Sequence, residues 1–332
     1  MKDDSIILAH GEGGLATKHL IDEVFKPLIG NDTLNRCEDA AIFTTTSKEL
    51  AFTTDAFIVE PILFPGGSIG KLAVSGSVND LAAMAAKPLY LSASFIIEEG
   101  LSINTLEKIV SDFAEEISSS GTTLITADTK VVARGQGGEI FISTAAIGQV
   151  VYDVSTELVS PGDEVVISGD IARHAAAIIS AREQIETNPI ICSDCASLWH
   201  VAESAIDCGV EIHAMRDPTR GGLATILNEI AEKAHIQVTI EETAIPIQNQ
   251  VETICDIYGY DPLYMANEGK MVFFVSSGNG EKLVNTLHNI PICENAAVIG
   301  SVQKGNGVFI NTRTGGTRKL ITLEGKQLPR IC

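Results

Sequence analysis

Apolar residues recur along the chain at two spacings, and the change from one to the other marks out the elements. Leu20, Ile21, Val24, Phe25 and Leu28 fall at helical spacing behind the glycine-rich stretch His10-Gly11-Glu12-Gly13-Gly14. A strand is expected to open at Glu38-Asp39-Ala40-Ala41 and the next to end at Thr53-Thr54-Asp55. A helix of small residues then starts near Lys71 and carries Asn79-Asp80. From Leu89 to Val150 the pattern predicts a strand over 91–97, a helix over 103–119 and strands over 124–126 and 140–150. Pro161-Gly162-Asp163 punctuates the chain. Beyond it come a strand at 165–168 with a helix through Ile179, and a helix at 198–206. The turn Arg216–Gly222 feeds a helix of Leu223, Ile226, Leu227 and Ile230, and strands follow at 272–275, 297–302, 308–311 and 319–323. The pattern predicts an α+β fold of α/β layers. Its expected parts are a loop and helix over 1–38, an N-terminal domain over 39–158, a C-terminal domain over 159–323 and a tail over 324–332.

Composition fits that division, since 332 residues with 45% hydrophobic content can bury a core large enough for two domains. A formal charge of −20 argues against a nucleic-acid or anionic-membrane surface. The start Met1-Lys2-Asp3-Asp4, with few apolar residues after it, reads as neither signal peptide nor anchor, so a cytoplasmic location is expected. Seven cysteines without a regular framework suit a reducing compartment.

Candidate chemistry is scattered over this frame. The glycines at 11, 13 and 14 would let backbone N–H groups approach an anion at a helix start. Gly11, Gly13 and Ala16 also spell a dinucleotide fingerprint, but no second strand ending in an acid follows about 20 residues on. Lys71 does not complete a Walker A loop, because Pro65 and Leu72 stand where glycine and a hydroxyl residue belong. Cys192-Ser193-Asp194-Cys195 is a lone pair without the partners of a zinc site.

Asp39, Asp55 and Asp80 recur at element edges. Each alone reads as a cap or turn former; together they suit magnesium sharing its octahedral shell with phosphate. Asp128-Thr129-Lys130 is expected in a turn, as an acid–hydroxyl–base cluster or a plain surface ion pair. Pro329-Arg330-Ile331-Cys332 sets a thiol beside the terminal carboxylate, on a tether that could extend about 30 Å from Leu323. The thiolate is a nucleophile, and an incidental terminal cysteine is the plain alternative.

His10–Gly14, Asp128-Thr129-Lys130-Val131-Val132, Arg216–Gly222, Ala266-Asn267-Glu268-Gly269-Lys270 and the terminal Pro-Arg-Ile-Cys occur in that order over the whole length. In this the chain resembles the HypE family of hydrogenase maturation proteins, in the PurM-like superfamily of aminoimidazole ribonucleotide synthetase and selenophosphate synthetase. The resemblance implies a PurM-like two-domain fold with a flexible C-terminal tail, a homodimer, and ATP and Mg2+ as cofactors. It implies dehydration of a carbamoyl group on the C-terminal cysteine to a thiocyanate, which supplies cyanide ligands for nickel–iron hydrogenases. The carbamoyltransferase HypF would be the donor and a HypC–HypD complex the acceptor.

Carried over by motif, Cys332 is the carrier and Lys130 and Glu268 are the pair beside the carbamoyl group. Asp39, Asp55, Asp80 and Asp217 would hold metal, and Gly13, Gly14, Asp55, Lys71, Asn79, Asp80, Asp128 and Thr129 would bind nucleotide. Glu38 and Ala127 depart from the family pattern, where Asp and Gly are common. Two other readings stay open: a superfamily relative phosphorylating a free small molecule, and a non-catalytic thiol carrier.

Overall fold

The computed structural model describes residues 5–11, 19–32, 35 and 49–322. The sites expected at Gly13, Gly14, Asp39 and Cys332 lie outside the described residues, as does the strand expected at 38–41. The first sheet consists of β1 (Leu50–Phe57), β4 (Ala86–Glu98), β5 (Thr123–Val132) and β6 (Ile140–Val150), in the order β1-β6-β4-β5, with β2 (Leu63–Phe64) and β3 (Gly67–Ser68) paired as a separate short ribbon. Only β4 and β5 pair in parallel, bridged by the helix Ile103–Ser120. Ser102 caps that helix by accepting the Thr105 N–H at 3.1 Å. Gly121 ends it at φ 71°, a left-handed turn that suits glycine. Leu106, Ile109, Val110 and Phe113 form its buried stripe, and Phe113 meets Phe95 of β4 edge to face at 5.3 Å.

The second sheet has seven strands in the order β13-β12-β9-β11-β7-β10-β8: β7 (Glu164–Ile167), β8 (Ile212–Arg216), β9 (Gln237–Glu241), β10 (Val272–Val275), β11 (Ala297–Gln303), β12 (Gly307–Asn311) and β13 (Thr317–Leu320). Strand β10 reads Val-Phe-Phe-Val and is wholly buried because both faces of this sheet are covered. Val272 and Phe274 enter one core with the helices Arg173–Arg182 and Gly222–Ala234. Phe273 and Val275 enter a larger core that continues through Trp199–Asp207 into the first sheet.

The helix Ile69–Ala83 stands where the two halves meet. Its sequence is unusually rich in small residues, and Ser75, Ser77 and Asn79 are as buried as its leucines. Small side chains allow close approach: a Cβ added at Gly70 would lie 2.1 Å from the Ile109 carbonyl oxygen. Gly70→Ala is therefore expected to destabilise the protein by about 1–3 kcal/mol through overpacking. Urea unfolding would measure this, and parental stability would mean that the two helices can separate freely.

Candidate active site between the two sheets

Two groups of side chains flank the helix Ile69–Ala83. The first is acidic. Asp55 lies opposite Thr144 in the β1–β6 ladder, and Thr144 Oγ1 is 2.7 Å from Ser77 Oγ, so this sheet face looks at the helix. Thr53 Oγ1 donates to Asp80 Oδ2 at 2.5 Å, and the Asp80 carboxyl is near enough to Asp55 to raise it. Asp217 joins them from the turn after β8. Burial first, then the Asp80 charge, pushes Asp55 up to about 6. The same two causes push Asp217 up to about 7, against the pull of Arg216.

The acids thus come from three elements and both halves of the chain, and burial together with the neighbouring charge raises Asp55 and Asp217 above the ordinary carboxylate range. Among the described residues no group of three or more His, Cys, Asp or Glu side chains could hold a metal unaided. An all-carboxylate set of this kind suits a hard cation that completes its shell with phosphate oxygens and water.

The second group surrounds Glu268, which is buried. Its backbone N–H donates to Asp194 Oδ1 at 3.3 Å and its carbonyl accepts from Ala196 N at 3.3 Å. A Cβ at Gly269 would sit 1.8 Å from the Asp194 carbonyl oxygen, so only glycine fits this crossing. Cys195 is buried beside them, 3.1 Å from Ser75 Oγ. Burial raises its thiol well above the usual range; Glu268 and Glu116 add to the rise and Lys71 opposes it. Lys71, half-buried in the first turn of the helix, thus acts on the Cys195 thiol with the opposite sign to Glu268. Asp194 and Cys195 went unrecognised in the sequence because a Cys-x-x-Cys pair is tested for metal, and neither residue's partner is near in sequence. Behind them His174, 2.8 Å from Ser193 Oγ, is lowered to about 4 by burial.

The structure corrects the turn expected at 128–130 and shows what surrounds two other candidates. Asn79 is buried, and its amide is engaged by backbone groups: Nδ2 donates to Ala196 O at 3.1 Å and Glu268 O at 3.2 Å, and Oδ1 accepts from Leu198 N at 2.8 Å. It bridges the two halves of the chain and is spent on protein. Asp128-Thr129-Lys130 is not a turn, because β5 runs on to Val132 and alternation divides the cluster. Asp128 pairs with Ser94 and Lys130 with Ile96 on the face away from the helices; Thr129 pairs with Phe95 on the helix face. Consequently a single chain does not bring Lys130 to Glu268.

The N-terminal domain family of AIR synthase related protein matches residues 37–150, and the C-terminal domain family of the same protein matches 160–312. The carbamoyl dehydratase HypE of Rhizobium leguminosarum bv. viciae is 43% identical, over 98% of this chain and 95% of its own. The chain belongs to the HypE family. The crystal structure of HypE in complex with ATP matches it with a TM-score of 0.94 at 41% identity, covering 98% of this chain and 99% of that one. The HypE–HypF complex matches with a TM-score of 0.80 at 40% identity, over 92% and 99%. The PurM-like two-domain fold of HypE is thereby established for this chain.

Protonation of the acidic group has a stability signature. A carboxyl whose folded pKa is raised holds its proton more tightly in the native state, so stability falls as pH rises from the ordinary 3.8 toward about 7. Asp217→Asn removes that penalty. In magnesium-free protein at pH 8 it should raise the melting temperature by a few degrees, with the gain shrinking toward pH 5. Thermal melts at the two pH values check this; an equal gain at both would refute the repulsion account.

Proposed function

We propose that this HypE family member dehydrates a carbamoyl group carried on its own Cys332 to a thiocyanate, at the expense of ATP. The observation that carries the proposal is the placement of the acids and the buried Glu268 on two sides of one helix. This arrangement supplies a phosphate-handling end and a proton-accepting end a short distance apart.

The chemistry sets the need for both ends. An amide-type oxygen is a poor leaving group, so the carbamoyl oxygen takes the γ-phosphoryl group of ATP as the nitrogen gives up one of its two protons to solvent, giving ADP and an S-bound iminophosphate. The remaining N–H proton then goes to Glu268, the carbon–nitrogen triple bond forms, and phosphate departs. Enclosure of Glu268 keeps water from the step, and the tether makes it effectively unimolecular.

Asp55, Asp80 and Asp217, with Asp39, would hold Mg2+, whose charge offsets that of the phosphate oxygens. Lys71, Thr129 and the glycines at 13 and 14 remain the proposed nucleotide contacts within one chain, whereas Asp128, on the open sheet face with Lys130, would reach a nucleotide only across a dimer. The carbamoyl donor would be HypF, in keeping with the relative crystallised as a HypE–HypF complex. A HypC–HypD complex would accept the cyanide, and the setting would be the cytoplasm. Among the described residues no helix is long and apolar enough to cross a membrane.

The separation of Lys130 from Glu268 supports a homodimer formed on the open face of the first sheet. There Phe52, 70% exposed, lies in one row with Ile147 and Tyr90, and Lys130 lies in another with Ile96 and Phe141. A second copy placed on this face could present its Lys130 to the site of the first. Mixed dimers of Lys130→Ala and Glu268→Gln should then recover about a quarter of parental activity, since one site in each mixed dimer is intact. Two inactive proteins that stay inactive after subunit exchange would rule out Lys130 acting across the interface.

Covalent states separate the proposed roles. Cys332→Ser should bind nucleotide as the parent does yet accept no carbamoyl group, because an alkoxide is far less available than a thiolate near neutral pH. Glu268→Gln should accept the carbamoyl group and stop there, leaving a C-terminal peptide heavier by one water than the cyanated product. Peptide mass spectrometry after reaction with donor and ATP checks both. A cyanated peptide from Glu268→Gln at parental yield would remove Glu268 as the base, and a carbamoylated Cys332→Ser protein would remove the tail as carrier.

A further inference from the structure

We infer that Asn79 is a positioning residue that holds Glu268 in register with the acidic group, so that ATP consumption and dehydration stay coupled. The inference rests on the reading of Glu268 as the base.

Asn79 is 1% exposed and sits beside Asp80 in the helix Ile69–Ala83. Asp80 faces Thr53 and Asp55 of the first sheet, whereas the neighbouring Asn79 faces the other half of the chain. Its amide nitrogen donates to the carbonyls of Ala196 and Glu268 at 3.1 and 3.2 Å, and its oxygen accepts from Leu198 N at 2.8 Å. The Glu268 N–H is taken in turn by Asp194 Oδ1 at 3.3 Å, so both peptide groups flanking this residue are held. Gly269 crosses so close to Asp194 that the segment has no room to shift sideways. Burial makes these bonds costly to lose, because each freed carbonyl would stay out of water. One peptide step along a rigid helix thus separates the residue that belongs to the phosphate end from the residue that fixes the base.

Such a device has a specific failure. With the acids intact, the carbamoyl oxygen still takes the phosphoryl group and ADP is released. With Glu268 displaced, the N–H proton is not removed in time, and water cleaves the iminophosphate to the original carbamoyl group and phosphate. ATP is spent and no thiocyanate forms.

The experiment uses full-length protein carbamoylated by its donor, with Mg-ATP, and measures phosphate released against thiocyanate formed. In Asn79→Ala the ratio of phosphate to thiocyanate should rise about tenfold or more over the parent, the scale expected when a reacting group is misplaced by about 1 Å. The KM for ATP should stay within about twofold. A lesion that merely loosens the fold lowers both rates together and leaves the ratio unchanged, and that result would overturn the inference. A raised KM with an unchanged ratio would overturn it in favour of a nucleotide contact. Should Asn79→Ala not fold, Asn79→Ser, which keeps one hydroxyl for the three bonds, should give a smaller rise read in the same way. Glu268→Gln run alongside separates the two failures. If it forms thiocyanate at the parental ratio, the base assignment has failed by itself; if it is uncoupled while Asn79→Ala is not, only the positioning role has failed.

Discussion

A helix buried on every side can leave none of its polar groups unmatched, and that requirement at Ile69–Ala83 organises the molecule. Ser77 is matched by Thr144 and Asp80 by Thr53, both from the first sheet. Ser75 is matched by Cys195, and Asn79 by the 196–198 and 268 backbone, all from the second half of the chain. Each match is worth only about 1 kcal/mol when made but costs more when broken. The interface between the halves is therefore specified by polar pairing, while the apolar core running through it supplies the bulk of the attraction.

The same helix keeps two kinds of electrostatics apart. On one side carboxylates are crowded together, with Asp55 and Asp217 raised by burial and by the Asp80 charge, an arrangement suited to receiving a cation and a polyphosphate. On the other the buried Glu268 and Glu116 share their surroundings with a neutral thiol and the Lys71 charge. Placing both on one rigid element gives the site a fixed internal geometry even though its parts come from residues more than 180 positions apart.

Much of the frame was legible in the sequence because it rests on local rules. The stripe Leu106, Ile109, Val110 and Phe113, the apolar run of β10 and the glycine-bearing turns all announce themselves within a few residues. Asp55 and Asp80 were readable with Asp39 as a set of acids from separate elements, Asp217 only through the family resemblance, and the structure brings Asp55, Asp80 and Asp217 together. The misread positions depend on distant partners. Thr-Ala-Asp-Thr-Lys has the composition of a turn, but pairing with the long strand β4 carries it on as an edge strand. Asn79 resembles a ligand next to Asp80 until its partners 117 and 189 residues away are known. The strands Ile212–Arg216 and Gln237–Glu241 and the helices Asn249–Tyr258 and Gly280–Leu287 fall outside the predicted pattern, being short and dependent on neighbours for burial.

The continuity of the larger core has a consequence during synthesis. The N-terminal half leaves the ribosome with one side of the helix Ile69–Ala83 still bare, and Asn79 must wait 119 residues for Leu198 and longer for Glu268. Until then an apolar flank with embedded serine and amide groups is open to water and to other nascent chains. Completion of the second sheet closes that window, so the last bonds of this helix form only after most of the chain has been made.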